Sequence, residues 1–146
     1  IGLKADAKIE KAHTYTIDKP IVFYGSSITH GSNSIDASHA WSSIVAYNLS
    51  MDCLNKGQAG SCMMEPAVVD YIAGKGRKNE WDIAVLELGI NVLSWEREKI
   101  RERVSYAVKE IATKNMLKKI FVVCFLFLRC LAEIYFEQIV FLLSFK

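Results

Sequence analysis

A chain of 146 residues, 51% of them hydrophobic, has room for one domain with a real core and little more. Its formal net charge of +2 arises from Lys and Arg interleaved with Glu, which leaves no patterned surface for nucleic acid or an acidic partner. Cys53, Cys62, Cys124 and Cys130 form no CxxC pair and no Cys/His cluster, so a disulfide framework or a metal site is not expected, and the thiols read as reduced and mostly buried.

The chain starts on Ile1 without a basic-then-apolar leader, which reads as a processed start or a cut from something longer. Residues 1–19 alternate only in short stretches and suggest an edge strand and a lead-in, with the main domain over residues 20–146. Ile21, Val22, Phe23 and Tyr24 form a continuous apolar run, the pattern of a strand covered on both faces. Gly25 permits a sharp exit, and Ser26, Ser27 and Thr29 bring hydroxyls to the start of the next helix. A hydroxyl there is exposed, rigidly held and close to free backbone N–H groups, as a nucleophile and its oxyanion site require. The same residues also suit plain helix capping, and taken alone they support both readings.

Residues 31–37 read as a surface turn. Trp41, Ile44, Val45 and Leu49 then keep helical spacing, predicting a helix over 38–50 with Ser38 as its N-cap. The sequon Asn48-Leu49-Ser50 falls on that helix, where glycosylation is disfavoured, and this leans towards a cytoplasmic setting. A short strand over 52–55 runs into a loop with Gly57 and Gly60. Pro66 opens a helix that buries Val68, Val69 and Ile72 and is stopped by Gly74 and Gly76, so that the basic stretch 75–78 is a solvated turn. Residues 81–88 are a third buried strand ending in Gly89, Ile90 and Asn91. From Glu96 on, Ile100, Val104, Ala107, Val108 and Ile111 make one apolar stripe opposite a wet face of mixed charge. Residues 120–126 read as a fourth strand, followed by a helix to Phe145 with Arg129, Glu133 and Glu137 on one face. With Gln138 these polar residues leave no apolar run of about 18 residues, so no membrane span is expected.

Strands alternating with helices at this spacing predict an α/β fold, a parallel sheet between helices with right-handed crossovers. Ligands in such sheets gather at the carboxyl ends of the strands, where the three glycine-bearing loops lie. No lysine of the P-loop kind follows GSSITHG and no GxGxxG is present, which counts against a flavodoxin-like phosphate cradle.

In this order the three loops resemble the conserved blocks of the SGNH (GDSL-type) hydrolases. GSSITHG, residues 25–31, resembles the GDSxxxG block with Ser26 in place of the usual aspartate. NKGQAG, residues 55–60, is similar to the second block, and Glu65 and Pro66 follow it as in the lipase/acylhydrolase branch that writes its first block GSSIT. ELGIN, residues 87–91, resembles the third, with Val92 where an aspartate commonly follows. The resemblance runs from about Ile21 to Val123. It implies a three-layer α/β/α fold of flavodoxin-like topology and a serine ester hydrolase for short acyl or acetyl esters of carbohydrate or lipid. The partner implied is a small-molecule ester, with no metal, no cofactor and no nucleic acid. Carried over by position, Ser27 is the nucleophile, and its own N–H, the N–H of Gly60 and the side-chain amide of Asn91 form the oxyanion hole.

The chain departs from the family in its base. Members carry a DxxH block near the C-terminus, whereas no histidine follows His39 here. His30 shares the turn of Ser27 and is expected to point away, His39 begins the next helix, and His13 precedes the core. Two readings of the apolar tail stand: an interrupted or frame-shifted coding region, or a short variant whose tail helix packs on a second copy as a homo-oligomer. A small β-sandwich often precedes the hydrolase domain in this branch, and residues 1–16 would suit its end. The alternative function is a catalytically silent domain that binds a small molecule or carbohydrate in the same pocket.

Overall fold

The computed structural model describes residues 2–11, 14–124 and 139–142, with the backbone alone for 124 and 139–142. Strand β1 (Ile21–Gly25) explains its unbroken apolar run by packing on both faces. Its side chains alternate, so Ile21 and Phe23 meet Ala46 and Met51 on one face, while Val22 and Tyr24 enter the larger core on the other. Beside it lie β2 (Cys53–Gly57) and β3 (Ile83–Leu88), followed by β4 (Lys119–Cys124) and β5 (Ile139–Leu142). All pairings are parallel, in the order β2-β1-β3-β4-β5. The order reverses between β1 and β3, and a crevice at the carboxyl ends of those two strands is where this topology binds ligands.

Helix α1 (Ser27–His30) is one turn after β1, and α2 (Trp41–Asn48) covers the Ile21/Phe23 face, with the Trp41 ring edge-on to Phe23 at 5.1 Å. Helices α3 (Pro66–Arg77) and α4 (Arg97–Lys114) cover the opposite face. The predicted stripe Ile100, Val104, Ala107, Val108 and Ile111 is buried throughout; each such Ile or Val contributes roughly 1.5–3 kcal/mol. Among the described residues, no helix is long and apolar enough to cross a membrane.

Several expectations need correction. No strand forms among the described residues of the lead-in, which is tied down instead by Ile17 N–H and Thr16 N–H donating to Ser50 at 3.2 and 3.0 Å. Ser38 is not the cap of a helix over 38–50. Asp36 caps a short 3-10 turn, Ala37–His39, accepting from the Ser38 and His39 N–H groups, and α2 begins only at Trp41. Gly74 and Gly76 do not stop α3 but lie inside it, so Lys75 and Arg77 form its last turn rather than a loop. Gly76 is there for space, since a Cβ would clash with Asn115 and Trp81 Cζ2 and lie 2.6 Å from Trp81 Cε2. Finally, residues 139–142 are a strand, not part of a helix. Ile-Val-Phe-Leu suits a pleated surface, and β4 offers it a partner. The predicted charged face of Arg129, Glu133 and Glu137 lies outside the described residues.

Candidate active site

The parallel register brings Gly25 level with Gly57 and Tyr24 level with Leu86, so the loops after β1, β2 and β3 leave one edge side by side. Cross-links then fix them to one another. Gln58 N–H donates to Gly25 O at 2.8 Å. Asn55 donates through Nδ2 to Thr29 O at 2.7 Å and to Ser42 Oγ at 2.9 Å, and accepts from Gly57 N–H at 2.8 Å. Cys62 N–H donates to Asn91 Oδ1 at 3.2 Å, joining the second loop to the third.

Two glycines make this approach possible by lacking a side chain. Gly25 keeps to its strand, so the expected conformational exit is not its role; a Cβ there would lie 2.7 Å from Glu87 Oε2. At Gly57 a Cβ would lie 2.5 Å from His30 Cα and 2.7 Å from the carbonyl carbon of Thr29. Backbone cannot swing aside as a side chain can, so α1 would have to lift off β2. Gly57→Ala is therefore expected to destabilise by about 1–3 kcal/mol or more, seen as a lower midpoint in urea with an unchanged m-value.

The adjacent serines occupy different environments. Ser26 is 1% exposed. Its N–H and Oγ both donate to Glu87 Oε2, at 2.7 and 2.6 Å, and its Oγ accepts from Ile28 N–H as the cap of α1. Ser27 is half-buried, and neither its Oγ nor its N–H has a partner among the described residues. The Gly60 N–H, on a turn with φ +70°, and the Asn91 Nδ2 likewise have none. Asn91 Oδ1 is already engaged by Cys62, which sets the carboxamide's orientation and leaves only its donor edge free.

Sequence reasoning missed Glu87. It is 2% exposed and accepts from Thr29 Oγ1 at 3.0 Å as well as from Ser26. The signal was a carboxylate inside the apolar run 83–88, which has to find donors when buried.

Of the histidines, His30 Nδ1 lies 3.2 Å from Gly57 O and His39 Nδ1 lies 2.9 Å from Asp36 Oδ1. Neither is bonded to Ser27, and His13 lies outside the described residues. The Ser38 hydroxyl first, and then His39, hold the Asp36 carboxyl well below the usual carboxylate range. The described thiols are no rival nucleophile: burial pushes Cys62 up to about 11 and raises Cys53 as well, so both are neutral at pH 7. Among the described residues no cluster of His, Cys, Asp and Glu could hold a metal.

Solved structures share this architecture. The salicylyl-acyltransferase SsfX3 of a tetracycline biosynthetic pathway matches with a TM-score of 0.71 at 19% identity, over 97% of this chain and 46% of its own. The acetyl xylan esterase Est2A of the rumen bacterium Butyrivibrio proteoclasticus matches at 0.68 and 15%, over 94% and 57%. A family two carbohydrate esterase of Clostridium thermocellum, solved with cellohexaose, matches at 0.67 and 14%, over 92% and 56%. The chain thus spans about half the length of these proteins, and at such identities the likeness shows the fold. No curated protein matches it in sequence. The profile of the GDSL-like lipase/acylhydrolase family matches residues 18–125, and the chain belongs to that family.

Proposed function

We propose that the chain carries the nucleophile and oxyanion hole of a serine ester hydrolase. The observation that carries this reading is a contrast in hydrogen bonding. Ser26 N–H and Oγ, Thr29 Oγ1, Cys62 N–H and Asn91 Oδ1 are all engaged, whereas Ser27 Oγ and N–H, Gly60 N–H and Asn91 Nδ2 have no partner among the described residues. Those free groups are one hydroxyl and three donors, on three loops that leave adjacent strands.

In the reaction proposed, Ser27 Oγ bonds to the ester carbonyl carbon while its proton passes to a base. The carbonyl electrons move onto oxygen, and the three donors stabilise that charge without reorganising. Collapse of the tetrahedral species expels the alcohol, which takes up the proton, and water then releases the acid from Ser27 by the same steps. Among the described residues no base is bonded to Ser27, His30 and His39 being engaged by Gly57 O and Asp36. The acyltransferase and esterases of like fold support an ester as substrate, and short acyl or acetyl esters of carbohydrate or lipid are the class we assign.

That no described residue is bonded to Ser27 as a base, and that no histidine follows His39, favours a second reading, a silent domain that binds an acid or carbohydrate without turnover. Incubation with a fluorophosphonate separates the two. An adduct mapped by mass spectrometry to Ser27 is the result the hydrolase reading expects. Saturable binding of acetate with no adduct at high reagent would support the silent domain and end the hydrolase reading.

A further inference from the structure

We propose that Glu87 is the positioning residue of the Ser27 turn: its buried carboxylate, reaching from β3, holds the backbone that aims the hydroxyl and N–H of Ser27. This rests on the hydrolase reading above and adds to it a residue on a different strand, without contact to substrate.

The geometry is specific. Period-two alternation along β3 puts Glu87 on the same face as Ile83 and Val85, the face covered by α2. There it is the one buried acid among the described residues. Its Oε2 accepts from Ser26 N–H, Ser26 Oγ and Thr29 Oγ1, at 2.7, 2.6 and 3.0 Å. These donors sit immediately before Ser27 and two residues after it, so one oxygen ties both ends of the segment carrying the nucleophile. Its other oxygen, Oε1, is buried without a partner. A carboxylate that served only to bury a satisfied charge would engage both oxygens; this one concentrates three donors on the oxygen facing the turn. All three hydrogen bonds are directed at the one segment whose orientation the reaction needs. A displacement of about 1 Å at such a segment costs on the order of a hundredfold in rate.

The test is a cycle of variants with two readouts, the rate of fluorophosphonate labelling well below every melting point and amide hydrogen exchange at Ser26. Glu87→Gln keeps the shape and one accepting oxygen but turns the other into a donor, so the three bonds to Oε2 cannot all persist if the amide turns, and labelling is expected to slow about tenfold, in the maximal rate rather than in reagent affinity. Ser26→Asp sets a second carboxylate against the first, and about a hundredfold loss is expected. In Ser26→Asp/Glu87→Gln the amide of Gln can donate to the new carboxylate, and recovery of about tenfold over Ser26→Asp alone is expected. Exchange at Ser26 N–H should accelerate by at least about tenfold in Glu87→Ala. Equal labelling and equal exchange in the wild type and the Glu87 variants would overturn the proposal. A wild type that is never labelled, yet loses Ser26 protection in Glu87→Ala, would leave Glu87 holding the turn and remove the hydrolase reading instead.

Discussion

Ser27→Ala is expected to abolish the fluorophosphonate adduct and, with it, ester turnover, since the proposed nucleophile is lost. Ser26→Ala is expected to keep the adduct. The two serines are adjacent and chemically identical, so the difference lies in their surroundings. Ser26 is buried and committed to Glu87 and to the cap of α1, while Ser27 Oγ is free among the described residues and half-buried. Removing Ser26 Oγ deletes a cap worth about 1 kcal/mol and one donor to a buried carboxylate worth about 1.5–3 kcal/mol. Its signature is lower stability with slower labelling. Activity and adduct surviving in Ser27→Ala would reverse the assignment of the serines.

Asn91→Asp should slow turnover by about a hundred- to a thousandfold, about 2.7–4 kcal/mol of transition-state stabilisation, with KM little changed. This substitution separates two roles that Asn91→Ala would confuse. Asn91 Oδ1 ties the third loop to Cys62 N–H at 3.2 Å, and an aspartate oxygen can accept that bond equally well. What aspartate cannot do is donate to an oxyanion, and its charge opposes one. If Asn91 served only to join the loops, Asn91→Asp would turn over like the wild type.

The parts legible in the sequence were those written by local rules. Glycines and a sudden change from apolar to hydroxyl residues mark the strand ends at Gly25, Gly57 and Gly89, and the 3.6-residue period of Ile100 to Ile111 marks α4. Asp36 and Ser38 are both good caps two residues apart; only the path of the chain decides that Asp36 does the capping. Residues 139–142 lie in an apolar stretch where periodicity does not separate strand from helix, and the partner strand that decides is read from the fold. Glu87 was out of reach for a different reason. Its donors lie 58 and 61 residues earlier in the chain, and no spacing rule connects them before the sheet is built.

Ser27, Gly60 and Asn91 are proposed to serve one reacting carbonyl. A crystal structure of the phosphonylated protein tests this most directly, because the phosphonyl oxygen stands where the oxyanion forms. Phosphorus is expected on Ser27 Oγ, with that oxygen roughly 2.7–3.1 Å from Ser27 N, Gly60 N and Asn91 Nδ2. An adduct on any other side chain, or one on Ser27 whose oxygen faces solvent out of reach of Gly60 and Asn91, would contradict it.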